Sequence, residues 1–357
     1  MILTVLGARP QFVKAAPMSA ALAEAGLEEA ILHTGQHYDH NMSQSFFDDL
    51  GIPAPKHHLG IGSAPHGRQT GAMMDGIERV CLEERPGAIL VFGDTNSTLA
   101  AALVAAKLDI PTAHVEAGLR SYNRQMPEEI NRVLTDHVSR WLFCPTEHSA
   151  ANLAKEGVAE GIHVVGDIMF DVLRQTLDRH TDTPSPAAAL GIEPPYLAAT
   201  IHRPENTDSP DNLREILGGF SRIGLPVVLP LHPRTRALLP GIGADPADLA
   251  GSGVHVIEPL GYPDMLKLVA DAHAVFTDSG GLQKEAYWLE TPCRTIRKQT
   301  EWIETIETGW NQLVPANADA IEAAATDIER PNSHPPVYGD GSTAPRIAEI
   351  LADNQAS

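Results

Sequence analysis

Asp94, Glu116 and Glu128 are acidic residues at the ends or starts of neighbouring elements. Asp94 and Glu116 each follow a short apolar strand, and Glu128 comes directly after Pro127 at the start of a helical stretch. Carboxylates that share a cleft raise one another's pKa values, so one can hold a proton while another accepts one. The three together predict acid/base chemistry. Strand capping and metal binding could also account for them, but both explain the set less well.

Two cations follow the first predicted strand. Gly7-Ala8-Arg9-Pro10 forms a turn into a helix, and Lys14 lies about one turn further along it. Backbone amides at a helix start, together with nearby cations, suit an anion such as a phosphate. Arg9 and Lys14 are therefore predicted to contact an anionic substrate group. The alternative is a solvated, charged first turn.

Asp278-Ser279-Gly280-Gly281 repeats this arrangement in the second half of the chain. Ser279 can cap a helix, and Gly280 and Gly281 allow the backbone to approach a ligand closely. Glu285, on the same predicted helix, is either an acceptor for ribose hydroxyls or a surface carboxylate. The segment predicts a second anion site.

His202 and His232 end two more predicted strands, and Arg203-Pro204-Glu205 follows His202. A histidine at a strand end can carry a proton or bind phosphate. We predict a functional role for His202. For His232, a functional and a structural role are equally consistent with the sequence.

Other histidines predict no metal site. The stretches that contain His37 and His40, and His57 and His58, lack partners at ligand spacing, so we interpret both as loops.

Short apolar stretches alternate with helical patterns and position these residues. The predicted strands are Ile2–Leu6, Ala30–Thr34, Ala88–Phe92, Pro111–Val115, Trp141–Cys144, Tyr196–Ile201, Val227–Leu231, Val254–Glu258, Ala274–Asp278 and Pro292–Ile296. The predicted helices of the first half are Ala15–Ala25, Thr70–Glu84, Ser97–Lys107 and Glu128–Ser139, and a further helix covers Ala344–Ala352. Such alternation indicates parallel sheets with helical crossovers, whose strand ends share one ligand-binding edge.

Length and composition restrict the class of protein. The 357 residues indicate two domains, with a boundary in the Pro- and Ala-rich stretch of residues 181–189. A net charge of −20 argues against nucleic-acid binding.

The sequence shows no membrane-spanning run and no signal segment, which predicts a cytoplasmic protein. Cys81, Cys144 and Cys293 are interpreted as buried, reduced thiols. The sequence contains neither GxGxxG nor GxxxxGK[ST], which weakens a dehydrogenase or ATPase assignment.

With these motifs assembled, the sequence resembles the non-hydrolysing UDP-N-acetylglucosamine 2-epimerase family. The matching segments cover nearly the whole chain: GARPQFVKAAP, HTGQH, GDTNSTLAAALVA, HVEAGLRS, MPEEINRVLTDH, FCPTE, TIHRPEN, LHPRT and TDSGGLQKEA. The resemblance implies a GT-B-like α/β fold of two Rossmann-like, doubly wound domains with a cleft between them. Residues 1–170 would form the domain with the catalytic carboxylates, and residues 171–340 the UDP-binding domain. A C-terminal helix of residues 341–357 would return to the first domain.

The same resemblance implies reversible inversion of carbon 2 of a UDP-linked N-acetyl amino sugar, through loss and re-addition of UDP by way of a 2-acetamidoglucal. It assigns catalysis to Asp94, Glu116, Glu128 and His202. It assigns substrate binding to Arg9, Lys14, Ser279, Gly280, Gly281 and Glu285. We predict His232 as a further substrate-binding residue. We therefore expect no cofactor, no metal, no membrane partner and no nucleic-acid partner, and we expect a homodimer.

Some segments depart from the common form of this family. GQHYDHNM replaces a longer stretch linked to activation at a second UDP-sugar site, and Trp302 replaces an arginine. Four segments are closer to the branch that acts on UDP-2,3-diacetamido-2,3-dideoxyglucuronate: GARPQF, GQHYDHNMS, TEW and GWN.

Two other classes of enzyme would also be consistent with parts of this pattern. They are a hydrolysing 2-epimerase that releases UDP and a glycosyltransferase with the same GT-B fold.

Overall fold

The computed structural model describes residues 1–36, 51–181, 183–326 and 328–355, so His37 and His40 lie outside the described part. The chain divides into two compact units. Unit 1 comprises Met1–Gln175 and Pro336–Ser357, and unit 2 comprises Thr176–Pro335.

Unit 1 is built on a parallel sheet. Its strands are β1 (Ile2–Leu6), β2 (Glu29–His33), β3 (His57–His58), β4 (Ala88–Phe92), β5 (Thr112–Val115), β6 (Trp141–Cys144) and β7 (Ile162–Val164). They lie in the order β3-β2-β1-β4-β5-β6-β7, and Ile2 pairs with Glu29 on one side and Ala88 on the other. Ile2 and Leu6 pack into one core, whereas Leu3 and Val5 pack into another on the opposite face. Burial on both faces is typical of parallel sheets covered by helices.

Unit 2 repeats this plan. Its strands are β8 (Leu197–Thr200), β9 (Val227–Pro230), β10 (Val254–Ile257), β11 (Ala274–Thr277), β12 (Cys293–Thr295) and β13 (Asn311–Leu313). They are parallel and lie in the order β10-β9-β8-β11-β12-β13. The predicted α/β class with two doubly wound sheets is confirmed.

The helices connect these strands. They are α1 (Arg9–Glu24), α2 (His66–Glu84), α3 (Asn96–Lys107), α4 (Pro127–Val138), α5 (Glu147–Lys155), α6 (Ile168–Arg179), α7 (Pro186–Ala189), α8 (Pro204–Thr207), α9 (Pro210–Phe220), α10 (Pro233–Arg236), α11 (Pro246–Gly251), α12 (Tyr262–Ala270), α13 (Gly280–Trp288), α14 (Ile303–Glu307), α15 (Ala318–Thr326) and α16 (Thr343–Gln355), with a 3₁₀ turn at Leu239–Ile242.

The C-terminal helix α16 belongs to the core of unit 1. Ile347 and Leu351 are buried in the same cluster as Phe12 of α1. The carboxylate of Asp171 accepts hydrogen bonds from the backbone N–H groups of Thr343 and Ala344, at 3.1 and 2.8 Å. An acceptor at these otherwise unsatisfied amides fixes the start of the helix.

The strand order reverses at one place in each sheet. In unit 1 the chain runs outward in both directions from the β1–β4 pair, and in unit 2 from the β8–β11 pair. In open α/β sheets, ligands bind outside the carboxyl ends of the strands at such switch points. Gly7–Arg9 and Asp94 follow β1 and β4, whereas His202 and Ser279 follow β8 and β11. These predicted site residues therefore fall at the two switch points, whereas Glu116 and His232 follow β5 and β9.

One interpretation from the sequence is wrong. His57 and His58 are not loop residues but form β3, which pairs with Leu32 and His33 of β2. A strand of two residues at the edge of a sheet leaves no alternating pattern that the sequence could show.

We expect His33 to make the stability of unit 1 depend on pH in the acidic range. It is buried, and its Nδ1 lies 2.8 Å from Nε2 of His58. Burial, helped by the charge of His58, lowers the pKa of His33 from 6.5 to about 4. Between pH 6.5 and 4, His33 binds a proton in the unfolded chain but stays neutral in the folded protein. We expect the free energy of unfolding to fall by up to about 3 kcal/mol between pH 6.5 and 4 from this group.

Urea denaturation at several pH values, together with an NMR titration of the His33 ring, tests this expectation. His33→Gln should flatten the pH dependence in that interval. The same slope in the variant and the wild type would contradict the assignment.

Candidate active site

A buried glutamine joins the two turns of the unit 1 switch point. Gln11, in the first turn of α1, accepts hydrogen bonds from the N–H groups of Gly7 and Ala8 at 2.8 and 3.0 Å. Its amide donates to the carbonyl oxygen of Phe92 at 2.8 Å and to the hydroxyl of Thr98 at 3.1 Å. The turn after β1 is therefore fixed to the turn after β4. Gln11 was not predicted as a site residue from the sequence.

Arg9 is the first residue of α1, and its side chain is exposed. Pro10 follows at a position where a missing N–H costs nothing, so the helix starts cleanly here. The predicted turn from strand to helix is confirmed. Contact between Arg9 and an anion stays a prediction.

Lys14 and Glu116 form an ion pair beside the turn that follows β4. Their side chains are only 17% and 10% exposed. Burial alone would lower the pKa of Lys14, but the charge and the hydrogen bond of Glu116 outweigh it and raise that pKa. A fixed positive charge therefore lies against Glu116.

Backbone geometry also brings Glu116 and the Asp94 turn together. Glu116 has a φ of +70°, a left-handed conformation that is uncommon for a residue other than glycine. Gly93, directly before Asp94, has a φ of +62°, and a Cβ there would lie 3.4 Å from Oε2 of Glu116 and 4.0 Å from Nζ of Lys14. These are ordinary contact distances, so glycine at position 93 is favoured by its left-handed backbone rather than by lack of space.

Asp94 is held by α4. Arg132 pairs with the carboxylate of Asp94 through Nη2 and with Glu129 through Nη1, the latter at 2.8 Å. The side-chain amide of Asn131 donates to the backbone carbonyl of Asp94 at 2.9 Å. Arg132 was not predicted as a site residue. Its place in PEEINR, one helical turn after Glu128 and Glu129, is the signal that could have identified it.

Glu128 and Glu129 have different environments. Glu129 is buried and accepts hydrogen bonds from the N–H groups of Ser121 and Tyr122, at 2.9 and 2.8 Å. Burial would raise the pKa of Glu129, but these hydrogen bonds and the charge of Arg132 lower it. Glu128 is exposed. Glu129 therefore anchors the loop before α4, while the catalytic role of Glu128 stays a prediction.

A buried carboxylate supports both strand-end turns. Asp136 lies 2.7 Å from Nδ1 of His114 and 2.7 Å from Nη1 of Arg120, and it accepts the N–H of Gly118 at 3.1 Å. The other nitrogen of His114 lies 2.8 Å from the carbonyl oxygen of Gly93. Burial would raise the pKa of Asp136, but His114 and Arg120 lower it. The network connects the segment that carries Glu116 with the residue before Asp94.

Unit 2 has its own buried carboxylate at the switch point. Asp278 accepts hydrogen bonds from the N–H groups of His202 and Arg203, at 3.1 and 3.0 Å, and from the side-chain amide of Asn206 at 3.0 Å. Nδ1 of His202 lies 3.2 Å from Oδ1 of Asp278, and half of the imidazole is exposed. Asp278 thus fixes the loop after β8 and orients the ring of His202.

The predicted helix cap at Ser279 is confirmed. Ser279 is the N-cap of α13 and accepts a hydrogen bond from the N–H of Leu282 at 3.4 Å. A Cβ on Gly281 would meet open space, whereas one on Gly280 would collide with a neighbouring side chain. Glu285 is half-buried on the same helix. Nucleotide binding by these residues stays a prediction.

His232 caps a short helix. Its Nδ1 accepts the N–H of Arg234 at 3.2 Å at the start of α10, and its side chain is exposed. This contact gives His232 a structural role, and substrate binding by it stays a prediction.

A cavity of about 400 Å³ opens beside the loops that follow β8, β12 and β13. The polar residues of its lining are Glu205, Asn206, Asn212, Arg297, Lys298 and Gln299. Asn206 joins the cavity to Asp278 through its side-chain amide.

Within the described residues, no group of three or more His, Cys, Asp or Glu side chains is arranged to hold a metal ion. In the same part of the chain, no helix is both long and apolar enough to cross a membrane.

Known relatives place this chain among the sugar-nucleotide 2-epimerases. A family profile described as UDP-N-acetylglucosamine 2-epimerase matches residues 20–352, and the chain belongs to this family. The family indicated by the sequence motifs is thereby confirmed.

Two curated relatives match almost end to end. A UDP-N-acetylglucosamine 2-epimerase homolog of Methanococcus maripaludis is 46% identical over 356 residues, covering 98% of this chain and 99% of the relative. The UDP-2,3-diacetamido-2,3-dideoxy-D-glucuronate 2-epimerase of Pseudomonas aeruginosa is 48% identical over 360 residues, with the same coverage.

Solved structures agree. The Methanocaldococcus jannaschii UDP-GlcNAc 2-epimerase, solved in complex with UDP-GlcNAc and UDP, is 42% identical, with a TM-score of 0.79 over 99% of this chain and 100% of that one. The glycosyltransferase CalG4, only 14% identical, matches in fold with a TM-score of 0.57 over 99% of this chain and 98% of that one. The predicted GT-B-like fold is confirmed.

Proposed function

We propose that this protein reversibly epimerises carbon 2 of a UDP-linked N-acetyl amino sugar, converting UDP-N-acetylglucosamine to UDP-N-acetylmannosamine by elimination and re-addition of UDP. The observation that carries the proposal is the pairing of carboxylates with cations after β4 and β5. Asp94 contacts Arg132, Glu116 contacts Lys14, and the N–H of Gly93 donates to the carbonyl oxygen of Val115, which joins the two turns. Relatives with this activity in their names, at 42% identity over 97% of this chain, support it.

The reaction needs proton transfer at carbon 2 and departure of the diphosphate at carbon 1. A carboxylate removes the carbon 2 proton, and the C–H electron pair forms the C1–C2 double bond. The C1–O pair leaves with UDP. In the return step a UDP oxygen attacks carbon 1, and carbon 2 takes a proton on its other face. Asp94, Glu116 and Glu128 are the groups that we assign to these proton transfers.

Unit 2 supplies groups for the departing diphosphate. The leaving UDP gains negative charge, and fixed donors stabilise that charge without having to reorganise. We assign this role to the amides at Ser279–Gly281 and to His202, whose ring is oriented by Asp278. Glu285 is assigned to the ribose hydroxyls, and Arg9 and Lys14 are assigned as substrate-contacting cations.

Incubation in deuterated water tests the proposal. With UDP-N-acetylglucosamine as substrate, deuterium should appear at carbon 2 of both epimers, because the proton is exchanged while UDP is detached. Mass spectrometry and NMR detect it. Unlabelled substrate recovered at equilibrium would refute the mechanism.

A second candidate is the 2-epimerase of UDP-2,3-diacetamido-2,3-dideoxyglucuronate. The relative with this name is 48% identical over 98% of this chain, above the 42% of the Methanocaldococcus jannaschii enzyme. Both sugars should be supplied in parallel. Faster turnover of the uronate would move the assignment to it.

The same assays distinguish epimerisation from hydrolysis and glycosyl transfer. A hydrolysing 2-epimerase would release one free UDP and one free sugar for each substrate consumed. A glycosyltransferase would act only when an acceptor is added.

Arg9→Ala should weaken nucleotide binding and turnover together. Arg9 lies at the exposed first position of α1, where a cation adds to the field of the helix start. Calorimetric titration with UDP and steady-state kinetics check this. Arg124→Ala, at an exposed arginine in the loop before α4, is the control. Loss of turnover in Arg9→Ala with undiminished UDP affinity would contradict the role in binding.

We also propose a cytoplasmic homodimer that serves polysaccharide biosynthesis. Cys81, Cys144 and Cys293 are free and buried, as is typical of proteins in a reducing compartment. Burial raises the pKa of Cys81 to about 11 and that of Cys293 to about 12, so these thiols are poorly reactive. Light scattering would measure the oligomeric state.

A further inference from the structure

The carboxylate of Glu301 lies against the start of α13. A Cβ built on Gly280, the first residue of that helix, would lie only 2.8 Å from Oε1 of Glu301. Glu301 therefore places a negative charge beside the same turn to which the proposed function assigns the diphosphate. Helix starts attract negative groups because their first N–H groups have no partner within the helix.

Two arginines flank this carboxylate. Nη1 of Arg297 lies 3.0 Å from Oε2 of Glu301, and Nη2 of Arg203 lies 4.0 Å from Oε1. Nη2 of Arg203 also lies 3.6 Å from the position that a Cβ on Gly280 would occupy. Guanidinium groups are the preferred partners of both carboxylates and phosphates. The two guanidinium groups beside this turn are therefore already paired with Glu301.

The segment that contains Glu301 is held against α13 by hydrogen bonds through Gln283. The hydroxyl of Thr300 donates to Oε1 of Gln283 at 2.6 Å, and the amide of Gln283 donates to the carbonyl oxygen of Ser279 at 3.0 Å. Lys284 lies 4.0 Å from the ring centre of Trp302. The backbone on both sides of Glu301 is thus held in register with the Ser279–Gly281 turn.

The side chains themselves differ in exposure. Arg297 is 9% exposed, whereas Glu301 is 40% exposed. Rotation of Glu301 toward solvent would release Arg297 and Arg203 without disturbing the buried hydrogen bonds of Gln283 and Thr300. Arg297 is therefore the fixed member of this ion pair, and the side chain of Glu301 is the member that can move away.

We propose that Glu301 is a specificity-determining residue of the nucleotide site, an internal carboxylate that competes with the diphosphate for Arg203, Arg297 and the start of α13. The inference rests on the proposed function, which assigns the diphosphate to Ser279–Gly281. Glu301 holds the two guanidinium groups in place and weakens binding of any anion that must replace it. Binding of UDP exchanges one carboxylate for a diphosphate of higher charge. Uridine, which has no phosphate, makes no such exchange.

Calorimetric titration of the full-length protein with UDP and with uridine tests this. Glu301→Gln keeps the size of the side chain and removes its charge. Because Coulomb repulsion acts strongly at a few ångströms near a protein surface, UDP should bind about tenfold more tightly to this variant. The affinity for uridine should stay within about twofold of the wild type, and added salt should shrink the gain for UDP.

Glu307→Gln is the matched control, because it removes one charge from an exposed position on the helix that follows. It should leave both affinities unchanged. Circular dichroism should show that both variants fold, as expected for exposed side chains.

The outcomes separate this inference from the proposed function. Unchanged or weaker UDP binding in Glu301→Gln, or equal gains for UDP and uridine, would overturn the inference while the wild type still binds UDP. A wild-type protein that fails to bind UDP would overturn the assignment of the nucleotide site and this inference together.

Discussion

Replacement of Glu116 by Gln is expected to lower turnover by on the order of a hundredfold or more while largely sparing substrate affinity. Gln keeps the shape of the side chain but can neither accept nor deliver a proton in the carboxylate's manner. The substitution also leaves Lys14 without the negative charge of its ion-pair partner. Asp94→Asn should act in the same direction, because Asp94 lies in the adjoining turn and is paired with Arg132. Steady-state kinetics with the preferred UDP-sugar measure both effects.

Glu83→Gln makes the same chemical change at an exposed position on α2, so turnover should not change. If the Glu116→Gln variant still exchanged the carbon 2 proton rapidly with solvent deuterium, Glu116 would not be the group that transfers this proton. In that case Asp94 and Glu128 would have to account for the transfers.

The second large effect concerns stability. Asp136→Ala removes the buried partner of His114 and Arg120 and leaves the N–H of Gly118 without this acceptor. Deletion of one member of a buried ionic network typically costs about 3–5 kcal/mol, because the remaining charge stays buried. We expect a loss of this size from the free energy of unfolding of unit 1. Amide hydrogen exchange in β4 and β5, read by mass spectrometry, reports it separately from unit 2.

Asp136→Asn tests whether charge or shape matters, and it should lose less than the alanine variant because one oxygen can still accept a hydrogen bond. The exposed Asp75–Arg79 pair on α2 supplies the control. Asp75→Ala should cost about 0.5 kcal/mol or less. Equal exchange protection in Asp136→Ala and the wild type would contradict the structural role of the network.

The sequence predicted most of the sheet because parallel strands are short, apolar and bounded by turns. The ten strands expected from these signals are present, each within about two residues of its predicted bounds. The strands β3, β7 and β13 were missed, since they have two or three residues each at or near the sheet edges. The helix α1 begins at Arg9 rather than Ala15, because Pro10 is compatible with a first turn and Gln11 satisfies the turn before it.

The site was only partly predictable for a different reason. Residues at strand ends could be identified because topology brings strand ends together. Arg132 and Gln11 act through contacts with Asp94 and Phe92, residues distant along the chain, which no local pattern contains. Adjacent glutamates at 128 and 129 are equivalent in the sequence, and only the fold buries one and exposes the other.

The position of α16 has a consequence for how the protein is made. Residues 343–355, which are synthesised after unit 2, complete the core around α1, and Asp171 binds the backbone at the start of that helix. During synthesis the amino-terminal half therefore emerges from the ribosome with part of its apolar surface uncovered, while the middle of the chain can finish its own core first. We expect nascent chains arrested before Thr343 to recruit chaperones and to be cut readily by proteases within the first 175 residues.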